Sequence, residues 1–351
     1  MTTQSSSTDW LPDWLRLLWE VPGVTDVLIN GPGDVWLDRG LGLERARALV
    51  PSAHGAESVG EVRALAVRLA SLAGRRLDDA SPAVDARLPD GTRLHAVLPP
   101  IADGCALLSL RRVRATSMTW EDLTFQGAVH PLLEPVLRGL VRSKSSIIVS
   151  GATGSGKTTL LATLLSDVDQ RERVVLIEEA GEVRPSHPHV VRLIERPANV
   201  DGAGAVGMSR LVREALRMRP DRIVLGECRG AEIREVLLAL NTGHRGSLTT
   251  LHANAAADVP ARLIALGALA GLSERAVALH ASTAFAAIVH LERDSRRRRV
   301  AEVALLQARA GELVAVPAAM VDTEGRFHHG AAWAKLRQIA LPDDDRLAVA
   351  S

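Results

Sequence analysis

The 351-residue sequence contains no tyrosine, only three phenylalanines and only two cysteines. Cys105 and Cys228 stand far apart, so they predict neither a disulfide framework nor a CxxC zinc site, and such sparse use of cysteine is typical of a reducing compartment. The formal net charge of +1 gives no field that would attract nucleic acid, and the scarcity of aromatic residues removes the usual stacking surface. These absences argue against a disulfide-stapled protein, a zinc protein and a nucleic-acid-binding protein.

Long hydrophobic runs are also missing. No stretch of about eighteen uninterrupted apolar residues occurs, so the sequence predicts no membrane-spanning helix. Residues 1–9 are polar and lack a basic segment followed by an apolar one, so we expect a disordered N-terminus without a signal peptide. The sequence therefore predicts a cytoplasmic protein.

The pattern of predicted strands and helices changes near residue 113. Residues 10–112 mix short strands with helical patterns, which predicts a small α+β domain, and the polar residues 113–126 are interpreted as a linker. From 127 to 293 apolar strands alternate with helices, which predicts an α/β domain with a parallel-sheet core, and residues 294–351 are interpreted as a C-terminal extension.

Two segments at the ends of this scheme leave alternatives open. The tryptophan-rich helix predicted over residues 10–19 fits a membrane or partner-docking face, but packing onto the adjacent domain is favoured because apolar helical stripes usually serve a core. The four arginines at 296–299 are interpreted as a solvated turn, because a short charge run without interleaved aromatics is weak evidence for nucleic-acid binding.

The strongest signal is a glycine-rich loop between a predicted strand and a predicted helix. Its sequence, from residue 151 to residue 159, is Gly-Ala-Thr-Gly-Ser-Gly-Lys-Thr-Thr. Glycines let backbone N–H groups converge on a phosphate, and the helix that follows directs its N-terminal dipole at the same anion. An ordinary Gly/Ser loop is the competing interpretation, but every position of the phosphate-loop pattern is filled. The predicted nucleotide-binding residues are Gly151, Ala152, Thr153, Gly154, Ser155, Gly156, Lys157, Thr158 and Thr159. Lys157 is expected to reach the β- and γ-phosphates, and the Thr158 hydroxyl to bind Mg²⁺.

Carboxylates end two other predicted strands. Glu227 follows the apolar run 223–226, which suits a group that orients or deprotonates a water, although a surface glutamate capping a turn is the alternative. Glu178 and Glu179 follow the run 174–177, with Glu182 close behind, and are expected to position Mg²⁺ unless they form a plain acidic loop. His244 and His252 flank one predicted strand, where an imidazole can hydrogen-bond a γ-phosphate or serve a structural role.

Taken together, residues 151–159, 175–182, 189–193, 211–229 and 241–254 resemble the ATPases of type II and type IV secretion systems, most of all the tight-adherence pilus subgroup. Residues 27–31 and 90–112 also look like the N-terminal domain of that family. The resemblance implies a RecA-like P-loop domain, ATP and Mg²⁺ as ligands, and a homo-hexamer docked on a polytopic inner-membrane platform protein at the cytoplasmic face of that membrane.

The resemblance also implies roles for individual residues. Glu227 matches the Walker B catalytic glutamate, Glu178 and Glu179 the acidic box, and His244 and His252 the histidine box. The magnesium ligands, partly through water, would be Thr158, Glu227 and Glu179. Arg111 and Arg112 match arginines of the N-terminal domain that lean over the nucleotide, whereas Arg217, Arg219 and Arg229 are candidates for contacts across subunits.

This sequence departs from the family pattern in two places. Glu179 stands where the family usually has aspartate, and the four-cysteine zinc module of the zinc-bearing pilus ATPases is missing, which favours a tight-adherence or conjugation-type branch. The function predicted is therefore a Mg·ATP-hydrolysing motor for pilus assembly or protein secretion. A conjugation-type or other nucleic-acid translocase on the same core is the main alternative, and a nucleotide-dependent switch with little hydrolysis is a third.

Overall fold

The computed structural model describes residues 11–40, 42–112, 117–196, 204–294 and 297–341. The chain divides into two compact units, residues 1–114 and residues 115–351, and each unit is described by itself.

The first unit is an antiparallel sheet of six strands with three helices. Its elements are α1 (Asp13–Glu20), β1 (Asp26–Gly31), β2 (Asp34–Asp38), β3 (Leu43–Arg45), α2 (Ala46–Leu49), α3 (Val59–Leu72), β4 (Ala83–Arg87), β5 (Arg93–Val97) and β6 (Leu107–Arg111). The strands lie in the order β3-β2-β1-β6-β5-β4. Strands β1 and β2 form one antiparallel hairpin, and strands β4 and β5 form another.

Helix α1 buries its apolar face in this unit. Leu15 and Leu18 are fully buried and Trp19 is 2% exposed, all within the core of the first unit. The packing interpretation of the tryptophan-rich segment is therefore confirmed for Trp19, whereas Trp10 lies outside the described residues.

The second unit is built on a nine-stranded mixed sheet. Its strands are β7 (Ile147–Gly151), β8 (Val174–Glu178), β9 (Val190–Ile194), β10 (Arg222–Leu225), β11 (Leu248–Leu251), β12 (Ala287–Arg293), β13 (Arg298–Arg309), β14 (Glu312–Val321) and β15 (Phe327–His329). Its helices are α4 (Trp120–Phe125), α5 (Glu134–Arg142), α6 (Lys157–Ser166), α7 (Met208–Ala215), α8 (Ile233–Asn241), α9 (Val259–Leu269), α10 (Glu274–Ala284) and α11 (Trp333–Ala340).

The strand order is β15-β14-β13-β12-β7-β11-β10-β8-β9, with β12 to β9 parallel and β13 to β15 antiparallel. The central strands β7, β8, β10 and β11 are buried along their whole length because both faces of the sheet are covered by helices. Ile147 and Val149 face one core cluster, which includes residues of α5, α6 and α11. Ile148 faces the other, which includes residues of α7 to α10. The predicted fold, an α/β domain with a parallel-sheet core that follows a smaller α+β domain in the sequence, is confirmed.

The segment interpreted as a C-terminal extension continues this sheet as β13, β14 and β15 and ends in α11, which packs against α5. The solvated-turn prediction at 296–299 is wrong for Arg299. This side chain is 7% exposed and donates to Glu292 at 2.6 Å and to the carbonyl of Val321, because strand alternation turns it inward toward those acceptors. Arg296 lies outside the described residues.

Candidate nucleotide site

The glycine loop joins the central strand β7 to helix α6 at the carboxyl edge of the parallel strands. Gly151, Gly154 and Gly156 have φ angles of +150°, +73° and +101°, a region that other residues rarely adopt. A Cβ atom on Gly151 would lie 2.5 Å from the backbone oxygen of Leu291. The loop is therefore a close-packed turn whose shape depends on glycine, as a phosphate cradle requires.

Lys157 begins helix α6 and turns its side chain back into the loop. Its Nζ donates to the carbonyl oxygens of Gly151 and Ala152, both at 2.9 Å, and lies 3.2 Å from Nδ1 of His252. Burial lowers the pKa of Lys157 from its usual value of 10.5. These oxygens and the imidazole nitrogen are the acceptors that phosphate oxygens would replace. Thr158, the next residue, lies half-buried in the first turn of the same helix.

Glu227 lies just beyond the end of β10, where the register of β10 against β11 brings it beside His252. His252 Nε2 is 2.8 Å from Glu227 Oε1, an ion-pair distance, although Oε1 is buried and accepts no hydrogen bond. Burial, reinforced by the positive charge of Lys157, lowers the pKa of His252 below 6.5. Nδ1 is the nitrogen that faces the Lys157 ammonium and is placed to accept from it.

Arg229 forms ion pairs with both Glu227 and Glu179, the residue that follows β8. Its guanidinium donates to Glu227 Oε2 at 2.7 Å and to Glu179 Oε2 at 2.6 Å, and the hydrogen bond to Glu227 raises the pKa of Arg229. A cavity of about 540 Å³ opens beside these three side chains and extends to the start of α7. The Arg229 guanidinium and the carboxylates of Glu227 and Glu179 therefore line an opening wide enough for water and a ligand.

Glu178 is the buried member of the acidic pair. It is 4% exposed, its Oε1 accepts from the backbone N–H of Val183 at 2.8 Å, and its Oε2 accepts no hydrogen bond. Burial raises the pKa of Glu178 above 4.5. A Cβ on Gly226 would lie 2.9 Å from Cγ of Glu178, so the glycine before Glu227 makes room for this side chain.

The structure does not bring every predicted residue to the loop. His244 precedes β11, at the opposite end of that strand from His252, and its Nδ1 bonds with the carbonyl of Ala239 at 3.2 Å. Arg217 and Arg219 are exposed in the connection that enters β10, also at the amino edge of the parallel strands. Within one subunit these three side chains are therefore remote from Glu227.

Arg111 and Arg112 belong to the first unit. Arg111 Nε donates to Asp26 at 2.8 Å, and the Arg112 guanidinium lies over the Trp19 ring, 5.2 Å from its centroid. Both side chains are exposed.

Two residues that sequence reasoning missed also lie at the loop. His290 on β12 is 2% exposed and its Nδ1 is 3.0 Å from Oγ of Ser150, the residue before the loop. Arg298 Nε donates to the carbonyl of Gly154 at 2.8 Å. The pairing of β12 with β7 creates both contacts, and no local sequence signal announces that pairing.

The residues present fit a nucleotide with a divalent cation. The cradle excludes a Cβ at Gly151, the Lys157 ammonium is held where anionic oxygens would bind, and Glu227 has a buried oxygen without a hydrogen bond. The Thr158 hydroxyl and the carboxylates of Glu227 and Glu179 are hard oxygen ligands of the kind that Mg²⁺ prefers.

In the part of the chain that the structure describes, none of the helices combines the length and the apolar character needed to cross a bilayer.

Comparison with known proteins gives a consistent result. A Mycobacterium tuberculosis (strain H37Rv) protein provisionally named for conjugal transfer is 47% identical over 309 residues, which is 86% of each chain. The conjugal transfer protein TrbB of Rhizobium radiobacter is 32% identical over 84% of this chain and 87% of its own. The type IV secretion system protein PtlH of Bordetella pertussis is 33% identical over 69% of this chain and 76% of its own.

Solved structures agree on the fold. The pilus retraction motor PilT with bound ADP gives a TM-score of 0.58 at 19% identity, covering 97% of this chain and 89% of its own. The Legionella pneumophila ATPase DotB gives a TM-score of 0.55 at 19% identity, covering 93% and 84%. The model of the type II/IV secretion system protein family matches residues 16–326. The chain therefore belongs to the type II/IV secretion system protein family.

Proposed function

We propose that this protein is a Mg·ATP-hydrolysing motor of a membrane-bound secretion or pilus system. The observation that carries the proposal is the contact series at the glycine loop, in which Lys157 Nζ meets His252 Nδ1 at 3.2 Å and His252 Nε2 meets Glu227 Oε1 at 2.8 Å. A structural glycine turn does not require a buried lysine, a histidine and a strand-ending glutamate in contact with one another.

In the proposed reaction Lys157 exchanges its carbonyl partners for β- and γ-phosphate oxygens. Glu227 orients the attacking water and accepts its proton, the water oxygen bonds to the γ-phosphorus, and the bond from that phosphorus to the β–γ bridging oxygen breaks. ADP and inorganic phosphate are the products. Arg229 keeps Glu227 and Glu179 at fixed positions throughout. Mg²⁺, when bound by Thr158, Glu227 and Glu179, would neutralise charge on the phosphates.

The proposal extends to assembly. A homo-hexamer would place exposed arginines such as Arg217 and Arg219 near a neighbouring subunit, and the Arg111 and Arg112 side chains would approach nucleotide only in a particular arrangement of the two units. Loss of the γ-phosphate contacts of Lys157 and His252 would change the preferred arrangement, and this change is the mechanical step. The motor would dock on a polytopic membrane protein at the inner face of the cell membrane.

The experiment that tests the proposal compares Lys157→Ala with Lys335→Ala in the full chain. Lys335 is exposed on α11, so its loss should leave nucleotide binding unchanged. Lys157→Ala removes the ammonium aimed at the phosphates and should abolish ATP binding, measured with a fluorescent ATP analogue and magnesium. Absence of ATP affinity in the unaltered protein, or equal affinity in Lys157→Ala, refutes the proposal.

A second candidate is the motor of a conjugation system, which moves DNA between cells. The names of the Mycobacterium and Rhizobium relatives favour it, whereas the scarcity of aromatics and the net charge of +1 favour a protein substrate and the tight-adherence assignment. Neighbouring genes distinguish the two: pilin-like genes support pilus assembly and DNA-processing genes support conjugation. Stimulation of ATP hydrolysis by DNA would favour conjugation or another nucleic-acid translocase.

A further inference from the structure

The end of β12 and the start of β13 reach the glycine loop from the side opposite His252, which follows β11. Leu291 on β12 pairs with Gly151 at the end of β7, so the strand that follows, β13, begins beside the loop. Arg298, its first residue, donates from Nε to the carbonyl oxygen of Gly154 at 2.8 Å. Arg293, the last residue of β12, has its guanidinium 3.0 Å from where a Cβ on Gly154 would lie.

The contact at Gly154 differs in kind from those of Lys157. Lys157 holds the carbonyls of Gly151 and Ala152, and it must release them when it turns to a phosphate. Arg298 holds the carbonyl of Gly154, an oxygen that Lys157 does not contact, so the movement of Lys157 to a phosphate does not itself require this hydrogen bond to break. A loop with left-handed glycines has many alternative conformations. A hydrogen bond that is present both with and without nucleotide restricts the loop to the conformation that binds nucleotide.

We propose that Arg298 is a positioning residue that holds the phosphate loop in its nucleotide-binding shape through the Nε–Gly154 hydrogen bond. This inference rests on the proposed function, because it assigns Arg298 a role in binding the same nucleotide. Arg298 touches the loop and not the reacting atoms, so it governs nucleotide affinity more than the rate of the chemical step.

Side-chain chemistry supplies a matched set of variants. In Arg298→Gln the amide Nε2 follows Cδ, as Nε does in arginine, so the donor is kept and the charge is lost. In Arg298→Lys a methylene follows Cδ, so the charge is kept and the donor is displaced. Arg298→Met removes both. Arg297→Met is the control on the same connection, because Arg297 donates to the carbonyl of Thr323, away from the loop.

Two measurements test the proposal in the full chain. The KM for ATP should rise about fivefold to tenfold in Arg298→Met, which is the range expected for one lost hydrogen bond, while kcat stays nearly unchanged. The rise in KM should be smaller in Arg298→Gln than in Arg298→Lys. Without nucleotide, hydrogen exchange of the amides at 151–157 should be faster in Arg298→Met and Arg298→Lys than in Arg298→Gln and Arg297→Met. The exchange experiment does not depend on ATP, so it separates this inference from the proposed function.

Three results overturn the inference. Unchanged KM and loop exchange in Arg298→Met and Arg298→Lys would show that the hydrogen bond positions nothing. A larger loss in Arg298→Gln than in Arg298→Lys would show that charge, and not the donor, matters. A fall in kcat at unchanged KM would assign Arg298 to the chemical step instead. Should Arg298→Met fail to fold, the Gln and Lys variants still decide between these outcomes.

Discussion

Glu227→Gln is the sharpest test of how this site hydrolyses ATP. Glutamine has the same shape as glutamate, so Arg229 keeps one acceptor at that position and keeps its 2.6 Å bond to Glu179. What disappears is the negative charge and the capacity to take a proton from water. General-base assistance of this kind contributes roughly 10²–10⁴-fold, so we expect kcat to fall by that factor, which is about 3–5 kcal/mol of barrier.

Nucleotide affinity should change little in the same variant. The predicted phosphate contacts belong to Lys157 and the loop, and Lys157 retains the carbonyls of Gly151 and Ala152 as alternative acceptors. Glu227→Gln should therefore trap ATP, which filter binding and analysis of the retained nucleotide would show as ATP and not ADP. Multiple-turnover phosphate release supplies kcat.

Glu235→Gln is the matched control for this test. Glu235 pairs with Arg213 at 2.7 Å, and the same change of charge there should leave turnover within about twofold of the unaltered protein, because an exposed ion pair contributes little. Turnover in Glu227→Gln equal to that of Glu235→Gln would remove Glu227 from the mechanism. A parallel loss of thermal stability and activity in Glu227→Gln would instead indicate a structural role.

Two further predictions concern groups around the site and the C-terminal helix. The raised pKa of Glu178 means that the folded protein binds the carboxyl proton more tightly than the unfolded chain, so the stability that this group contributes is present below about pH 4.5 and is lost as pH rises through the folded-state pKa. Over that rise in pH, the urea midpoint of Glu178→Gln should increase relative to the midpoint of the unaltered protein, and a constant difference between the two midpoints would contradict the prediction. In Gly139→Ala the new Cβ would lie 2.1 Å from the carbonyl oxygen of Ala340, so thermal unfolding should show a loss of about 1–3 kcal/mol, whereas Gly60→Ala, whose nearest neighbour is Ser58 Oγ at 3.9 Å, should show none.

The phosphate loop and the glutamates at strand ends could be predicted because their signals are local. Glycines at fixed spacing between an apolar strand and a helix specify the loop, and the polarity of a parallel sheet places whatever follows β8, β10 and β11 at its carboxyl edge. The same rule separates the two histidines. His252 follows β11 and reaches Glu227, whereas His244 precedes β11 and contacts the carbonyl of Ala239, so the two histidines that flank one strand lie in different surroundings.

Contacts between distant segments could not be predicted. Ser150 and His290 are 140 residues apart, and only the pairing of β12 with β7 brings them within 3.0 Å. The sequence interpretation separated the residues after 293 from the nucleotide domain, so it gave no reason to look for Arg298 at the loop. A run of arginines has the local sequence of a solvated turn. Arg299 is buried because Glu292 on the neighbouring strand accepts its hydrogen bond, and the local sequence does not reveal that neighbour.

The order of contacts at the site offers a route by which a nucleotide-dependent event would reach Glu227, the proposed general base. An arriving phosphate must replace the carbonyl oxygens of Gly151 and Ala152 as the acceptors of Lys157. Among the described residues, His252 is the only side chain that contacts both Lys157 and Glu227 at hydrogen-bond or ion-pair distance. Burial is the largest cause of the lowered pKa of His252. When Lys157 turns to the phosphates, we expect His252 Nδ1 to lose its contact with Lys157 while Nε2 stays beside Glu227 Oε1. A change in phosphate occupancy would therefore reach Glu227 through His252.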